Sequence, residues 1–351
     1  MSITDGGAQF PGIDARGVLE VRPDSAALDE PGFWVVVDTF EGELTAVRMA
    51  DVVRVDEPAS SGLVEPLVAD PDLAAWSSSL DRSAYERGVR DVRELVAAGE
   101  VYQVNLCRVL SRAVPAGFVL SELNQLVRQA NPAPRAAYVD IPAAGLEVVC
   151  ASPELYLRRD GDRLWSAPIK GTAPTVDQML AKDRTENVMI TDLVRNDLSA
   201  VCRPGTVAVD ALLAAQYNPG FVHLESTVSG RLIEGARWAD ILGASFPPGS
   251  VSGAPKSSAL TAIRDLEPVE RGPYCGAIGW IENGVDGGQA AALAVGIRSF
   301  WLEHDRGGTR WLRYGTGAGI TWGSDPEGEW WETVLKARRL LALAESVIAG
   351  S

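Results

Sequence analysis

The sequence predicts an α+β fold whose sheets are largely antiparallel. Strand-like segments come in neighbouring pairs with short connections: 33–38 (FWVVVD) with 44–49 across Glu41-Gly42-Glu43, 136–140 with 147–151, and 205–216 with 222–233. Three further runs, 274–282, 290–301 and 309–316, follow one another like neighbours in one antiparallel sheet. Helical patterns stand between these groups, at 81–99, 121–130, 176–198, 256–266 and 327–348.

At 351 residues the chain has room for one large α/β domain or two smaller ones, and for a sizeable core. Apolar residues at 46% and charged residues at 23% give the balance of a globular protein. The net charge of −15 argues against nucleic acid and against an anionic membrane as partners, while leaving room for an anionic substrate in a locally basic pocket. No apolar run reaches the roughly 18 residues of a membrane span. Residues 1–10 have neither the basic start nor the apolar centre of a signal peptide, so the expected location is the cytoplasm. Cys107, Cys150, Cys202 and Cys275 are widely spaced, and His223 and His304 complete no familiar zinc pattern. A metal site would have to be made of carboxylates.

Residues 1–75 read as a small β-rich opening layer on a main domain at 76–351. The helix at 81–99 has Ser83 as its expected cap, repeats Tyr85, Val89, Val92 and Val96, and stops at Gly99. The strand at 101–110 sends Gln103 and Asn105 to one face, where they are either solvated or buried with partners. Ser152-Pro153-Glu154 is a turn after a strand. Glu154 is either a capping glutamate or, if its surroundings raise its pKa, a general acid. Lys170 ends another strand, between Pro168-Ile169 and Gly171-Thr172. It is either a plain turn lysine or, if desolvated, a nucleophile or base.

Glu186 shares a helix face with Ile190 and Leu193, and a carboxylate on an apolar stripe needs a partner such as a metal. A lone histidine such as His223 is more often a satisfied core residue than a catalytic one. Residues 246–256 form a Gly/Pro/Ser loop suited to covering a site or receiving an anion, without the Walker order. Arg298 is the only charge in 290–300 and calls for a carboxylate partner. Gly315 to Gly319 could offer backbone N–H groups to an anion. Glu329, Glu332 and Lys336 stand on one face of the last helix, whose start the flanking Trp330 and Trp331 suggest is packed. Three carboxylates without histidine or thiolate suit a hard ion, Mg²⁺.

These segments resemble the chorismate-utilising enzymes, which include anthranilate synthase component I, aminodeoxychorismate synthase component I, and the isochorismate and salicylate synthases. The matching stretches are Tyr102-Gln103-Val104-Asn105-Leu106, Ser152-Pro153-Glu154, Pro168-Ile169-Lys170-Gly171-Thr172, KDRTENVMITDLVRND at 182–197, His223-Leu224, GSVSGAPK at 249–256, Gly296-Ile297-Arg298 and residues 317–336. The resemblance implies a four-layer α/β/β/α sandwich of two large, mostly antiparallel sheets with outer helices. It implies Mg²⁺ on Glu186, Glu329 and Glu332, binding the ring carboxylate of chorismate with help from Lys336. Arg298 and the amides of Gly317, Ala318 and Gly319 would take the enolpyruvyl carboxylate. Thr172 and His223 would line the ring, and Glu154 would protonate the departing C4 hydroxyl.

Members that add water at C2 carry a lysine where this chain has Gln103, which speaks against isochorismate and salicylate synthesis. Lysine rather than alanine at position 170 resembles the aminodeoxychorismate branch, in which the amine attacks C2 and ammonia then displaces it at C4. No glutaminase triad is found, so the resemblance implies a separate glutamine amidotransferase subunit as ammonia source. The alternatives are anthranilate synthase component I or a secondary-metabolism relative, and a non-catalytic chorismate-binding scaffold. Intact Glu154, Lys170 and metal glutamates count against the scaffold. Relative to the family the N-terminal region reads as shortened, with no recognisable tryptophan pocket.

Overall fold

The computed structural model describes residues 4–56, 70–173, 175–179, 181–218 and 221–351. In chain order the strands are β1 Thr4–Phe10, β2 Ile13–Arg22, β3 Gly32–Asp38, β4 Leu44–Arg54, β5 Ser77–Ser78, β6 Gln103–Val114, β7 Arg135–Ile141, β8 Leu146–Ser152, β9 Leu155–Asp160, β10 Arg163–Ala167, β11 Ile169–Ala173, β12 Ala208–Asn218, β13 Phe221–Arg231, β14 Gly253–Ala254, β15 Ala277–Asn283, β16 Gln289–Val295, β17 Ser299–His304 and β18 Arg310–Ile320. The helices are α1 Arg82–Ala97, α2 Leu120–Ala130, α3 Ala181–Ser199, α4 Trp238–Ser245, α5 Gly249–Ser252, α6 Lys256–Leu266 and α7 Pro326–Gly350.

Every pairing is antiparallel, and the strands join into one ladder that doubles back on itself. One half runs from β13, which carries β11 and β12, through β10, β9, β16, β15, β3 and β4 to β2. The other runs from β1 through β7, β8, β17 and β18 to β6. Side-chain alternation explains the layers. Val139 and Val148 join Val35, Val47, Ile278 and Leu293 in the core between the halves. Their neighbours Tyr138 and Val149 face the other way, against Leu123 of α2 and Leu340 and Leu343 of α7. Helices α1, α2 and α7 cover the β6–β8–β18 half, and α3 lies on β11 to β13. This is the sandwich with outer helices that the resemblance implies. Among the described residues no helix is long and apolar enough to cross a membrane.

Four local expectations change. Asp81, not Ser83, caps α1: its side chain accepts from the Ala84 N–H at 2.8 Å, and Ser83 instead accepts from Arg87. The pattern at 176–198 splits into a short 3₁₀ turn, Val176–Gln178, and α3. The run 290–301 is not one strand. It breaks at 296–298, where Arg298 has φ 55°, so β16 lies in one half and β17 in the other. Its mostly apolar character hid the break, because much of both pieces is buried. Of the paired tryptophans, Trp330 packs edge-on against Tyr85, but Trp331 is about half exposed.

The core holds one carboxyl that costs stability. Asp38, at the end of β3, is buried, and its Oδ1 has no hydrogen-bond partner. Burial pushes its pKa from 3.8 up to about 7. A carboxyl with a raised folded-state pKa gives full stability below its unfolded pKa, and that stability is lost as pH rises through the folded value. Asp38→Asn is therefore expected to raise Tm by several degrees at pH 8. The gain should shrink toward nothing as pH falls to about 4. Equal thermal melts at pH 8 would sink the burial argument.

Candidate active site

Two adjacent strands change halves side by side and create the site. Strand β8 passes into β9 through Pro153-Glu154, and β16 into β17 through 296–298. At the crossing the Ala151 N–H donates to Arg298 O, and the Val295 N–H donates to Glu154 O, both at 3.1 Å. Each break in the ladder turns one side chain, Glu154 or Arg298, toward a cavity of about 600 Å³. That volume suits a small molecule.

The opposite wall is β11. Gly171 there has φ 76° at a register shift, and a Cβ would meet Asp183 Cβ at 2.8 Å, so glycine lets α3 close onto the strand. Lys170 projects into the cavity, and its Nζ donates to the Ser250 carbonyl at 2.9 Å. Burial lowers the Lys170 pKa, against the opposing pull of Glu186 and Glu154. Burial likewise pushes Glu154 up to about 7, partly offset by its hydrogen bond from Ser250 and the charge of Lys170. The two shifts run in the senses that an acid keeping its proton and an amine giving one up require. His223 pairs with Thr172 across the ladder, its Nδ1 stands 3.1 Å from Gly171 O, and burial lowers its pKa. The Thr172 side chain lies outside the described residues.

The floor is β18. Beyond Tyr314 it pairs only with β6, so one edge of residues 315–320 is open. Gly317 accepts from Lys336 Nζ at 3.0 Å, which turns its peptide groups toward that edge. Gly317 and Gly319 line the cavity, whereas the Ala318 side chain is in the core. Arg298 also lines it. Among the described residues Arg298 has no ion-pair partner, contrary to the sequence expectation, so its charge is available to a bound anion.

The carboxylates come from two helices. Glu186 of α3 and Glu332 of α7 line the cavity, while Glu329 is buried behind them. Lys336 pairs with Glu332 at 2.7 Å, and Lys182 stands 4.0 Å from Glu329. Burial raises the pKa values of Glu186 and Glu329. For Glu332 burial is outweighed by Lys336, and the net shift is downward. The donors are all hard oxygens, the set that suits Mg²⁺. As they stand, no three acids, histidines or cysteines among the described residues are gathered around one point.

Gln103 and Asn105 are not solvated. Gln103 is 1% exposed, its Nε2 against Gly319 and 3.5 Å from Glu186, and it does not line the cavity; Asn105 does, and donates to Ser250 O at 3.3 Å. Sequence reasoning missed Tyr274, Tyr314 and the role of Ser250. For Tyr274 the signal lay in the glycines: a Cβ on Gly315 would stand 2.0 Å from its ring. Gly315→Ala is expected to displace that ring, with a stability cost of about 1–3 kcal/mol. Thermal melts of the variant check it, and an unchanged Tm would mean that the ring yields without cost.

The chain has relatives among known proteins. A model of the family described as chorismate binding enzyme matches residues 39–342. The chain is 36% identical over 285 residues to anthranilate synthase component 1 of Streptomyces coelicolor, covering 78% of this chain and 53% of that protein. It is 32% identical over 361 residues to aminodeoxychorismate synthase component 1 of Klebsiella aerogenes, covering 97% and 76%. The chain thus spans little more than half the length of the Streptomyces relative. Among solved structures, anthranilate synthase component I from Streptococcus pneumoniae TIGR4 superposes with a TM-score of 0.74 at 19% identity, covering 97% of this chain and 91% of the other. The menaquinone-specific isochorismate synthase of Escherichia coli also gives 0.74 at 19%, covering 97% and 88%. With its family model matched along most of its length, on the fold those structures share, the chain belongs to the chorismate-binding enzymes.

Proposed function

We propose that the chain is an aminodeoxychorismate synthase component I, converting chorismate and ammonia to 4-amino-4-deoxychorismate and water. The observation that carries this reading is Lys170: an amine on the cavity wall with a lowered pKa, beside an acid with a raised one. Its neutral nitrogen attacks C2 while the C4–O bond breaks and Glu154 gives the leaving hydroxyl its proton, forming water. Ammonia then forms the C4–N bond as the C2–N bond to Lys170 breaks. The proton shed by the incoming nitrogen returns Glu154 to its acid form.

Arg298 and the open edge at Gly317 and Gly319 would take a carboxylate. Glu186, Glu329 and Glu332, with Lys336 beside them, would hold Mg²⁺, which when bound supplies an electrostatic anchor for the ring carboxylate. Ammonia would come from a separate glutamine amidotransferase subunit.

The test is to incubate the chain with chorismate, Mg²⁺ and ammonium salt and to identify the product by mass and absorbance. Aminodeoxychorismate without pyruvate supports the reading. Anthranilate with pyruvate would instead place the chain with relatives such as the Streptomyces protein. Turnover that survives exhaustive chelation would remove the metal from the proposal.

A further inference from the structure

We propose that Ser250 is a positioning residue that braces the amine and the acid of the site against each other. The inference rests on the reading of Lys170 as nucleophile and Glu154 as acid. Ser250 lies on α5 and is 5% exposed. Its carbonyl accepts from Lys170 Nζ at 2.9 Å and from Asn105 Nδ2 at 3.3 Å, and it lines the cavity wall with Glu154, whose ionised form its hydroxyl favours. One residue thus ties together β11, β6 and the β8–β9 crossing.

The kind of acceptor matters. A carboxylate in place of the carbonyl would favour the ammonium form and hold its proton. A neutral carbonyl accepts an N–H from the free amine as well, fixing its direction while leaving the lone pair for another atom. The hydroxyl acts in the opposite sense on Glu154, stabilising its ionised form as the proton leaves.

The turn that carries Ser250 is itself fastened. Lys256 Nζ donates to Asp197 Oδ2 of α3 and to Ser245 O, both at 2.8 Å, and the ion pair is largely buried. Arg271 Nη1 donates to Val251 O at 2.9 Å, and a Cβ on Gly249 would meet Leu193 Cδ2 at 2.5 Å, so α3 packs directly on the turn. The charged groups that act on Glu154 besides this brace are Lys170 of β11 and Glu225 of β13.

Ser250→Ala and Ser250→Thr in the full chain test it, assayed with chorismate, Mg²⁺ and ammonium. The alanine variant is expected to lose about tenfold in kcat while KM for chorismate stays within about twofold. The alkaline limb of its pH profile should move upward, because Glu154 loses the bond that favours its ionised form. Threonine, which keeps the hydroxyl, should restore both. A profile superimposable on the wild type, or a kcat loss that threonine does not repair, would overturn the proposal. If the wild type makes no aminodeoxychorismate, the proposed reaction falls separately. An infrared titration of the Glu154 carboxyl, with Glu154→Gln subtracted, then still decides whether its pKa rises in Ser250→Ala.

Discussion

Lys170→Ala is expected, on the proposed reaction, to stop the release of 4-amino-4-deoxychorismate and to start the release of anthranilate with pyruvate. With no amine at C2, ammonia itself adds there, and the route through C4 closes. Loss of a covalent nucleophile should cost at least about 10³-fold in aminodeoxychorismate formation. The substitution leaves Arg298, Glu332 and the glycine edge in place, so KM for chorismate should change by no more than a few-fold. Chromatography with mass detection separates the products. Aminodeoxychorismate formed by the alanine variant at the wild-type rate would show that this lysine is not the nucleophile.

Glu154→Gln is the second large effect. Glutamine keeps the size and polarity of the side chain but cannot give up a proton to the leaving hydroxyl, so kcat should fall by about 10²–10⁴-fold with chorismate affinity nearly intact. The wild-type pH profile carries the same signature. In the proposed reaction Glu154 works protonated, so activity should decline as pH rises through about 7, where it ionises. In the same proposal Lys170 works neutral, so activity should also decline on the acid side as the amine takes up its proton. The measurement needs a constant concentration of free ammonia across the profile. If Glu154→Gln retained activity within threefold and the alkaline limb remained, another group would be the acid.

Much of this molecule was legible in its sequence, for identifiable reasons. Helices α1, α3 and α7 announce themselves because one face repeats at the helical period. The hairpin of β7 and β8 does so because two apolar runs flank a short turn. Glu154, Lys170, Glu186, Arg298 and Glu332 line one cavity, as the motifs led one to expect. Other features were hidden because they are not properties of a local pattern. The break inside 290–301 depends on Arg298 adopting a positive φ, which no neighbouring residue signals. Ser250 acts on Lys170 through its carbonyl, and every residue has one. Gln103 reads like a cavity residue from its spacing, yet its amide is packed into the space that Gly319 leaves by having no Cβ.

The order in which the ladder closes bears on how the chain matures during synthesis. Strand β3 must wait for β15, since Gly32 pairs with Asn283 and Asp38 with Ala277. Strand β6 must wait for β18. At a few residues per second, these partners leave the ribosome long after the early strands. Until then the early strands present unpaired edges, the segments on which a chaperone would be expected to act. Glu154 and Lys170 are made well before Arg298, Glu332 and Lys336, so the nascent chain carries one wall of the cavity long before the others. Folding dominated by such distant pairings is slow, and catalytic competence should arrive in one late step with the docking of α7, not by increments along the chain.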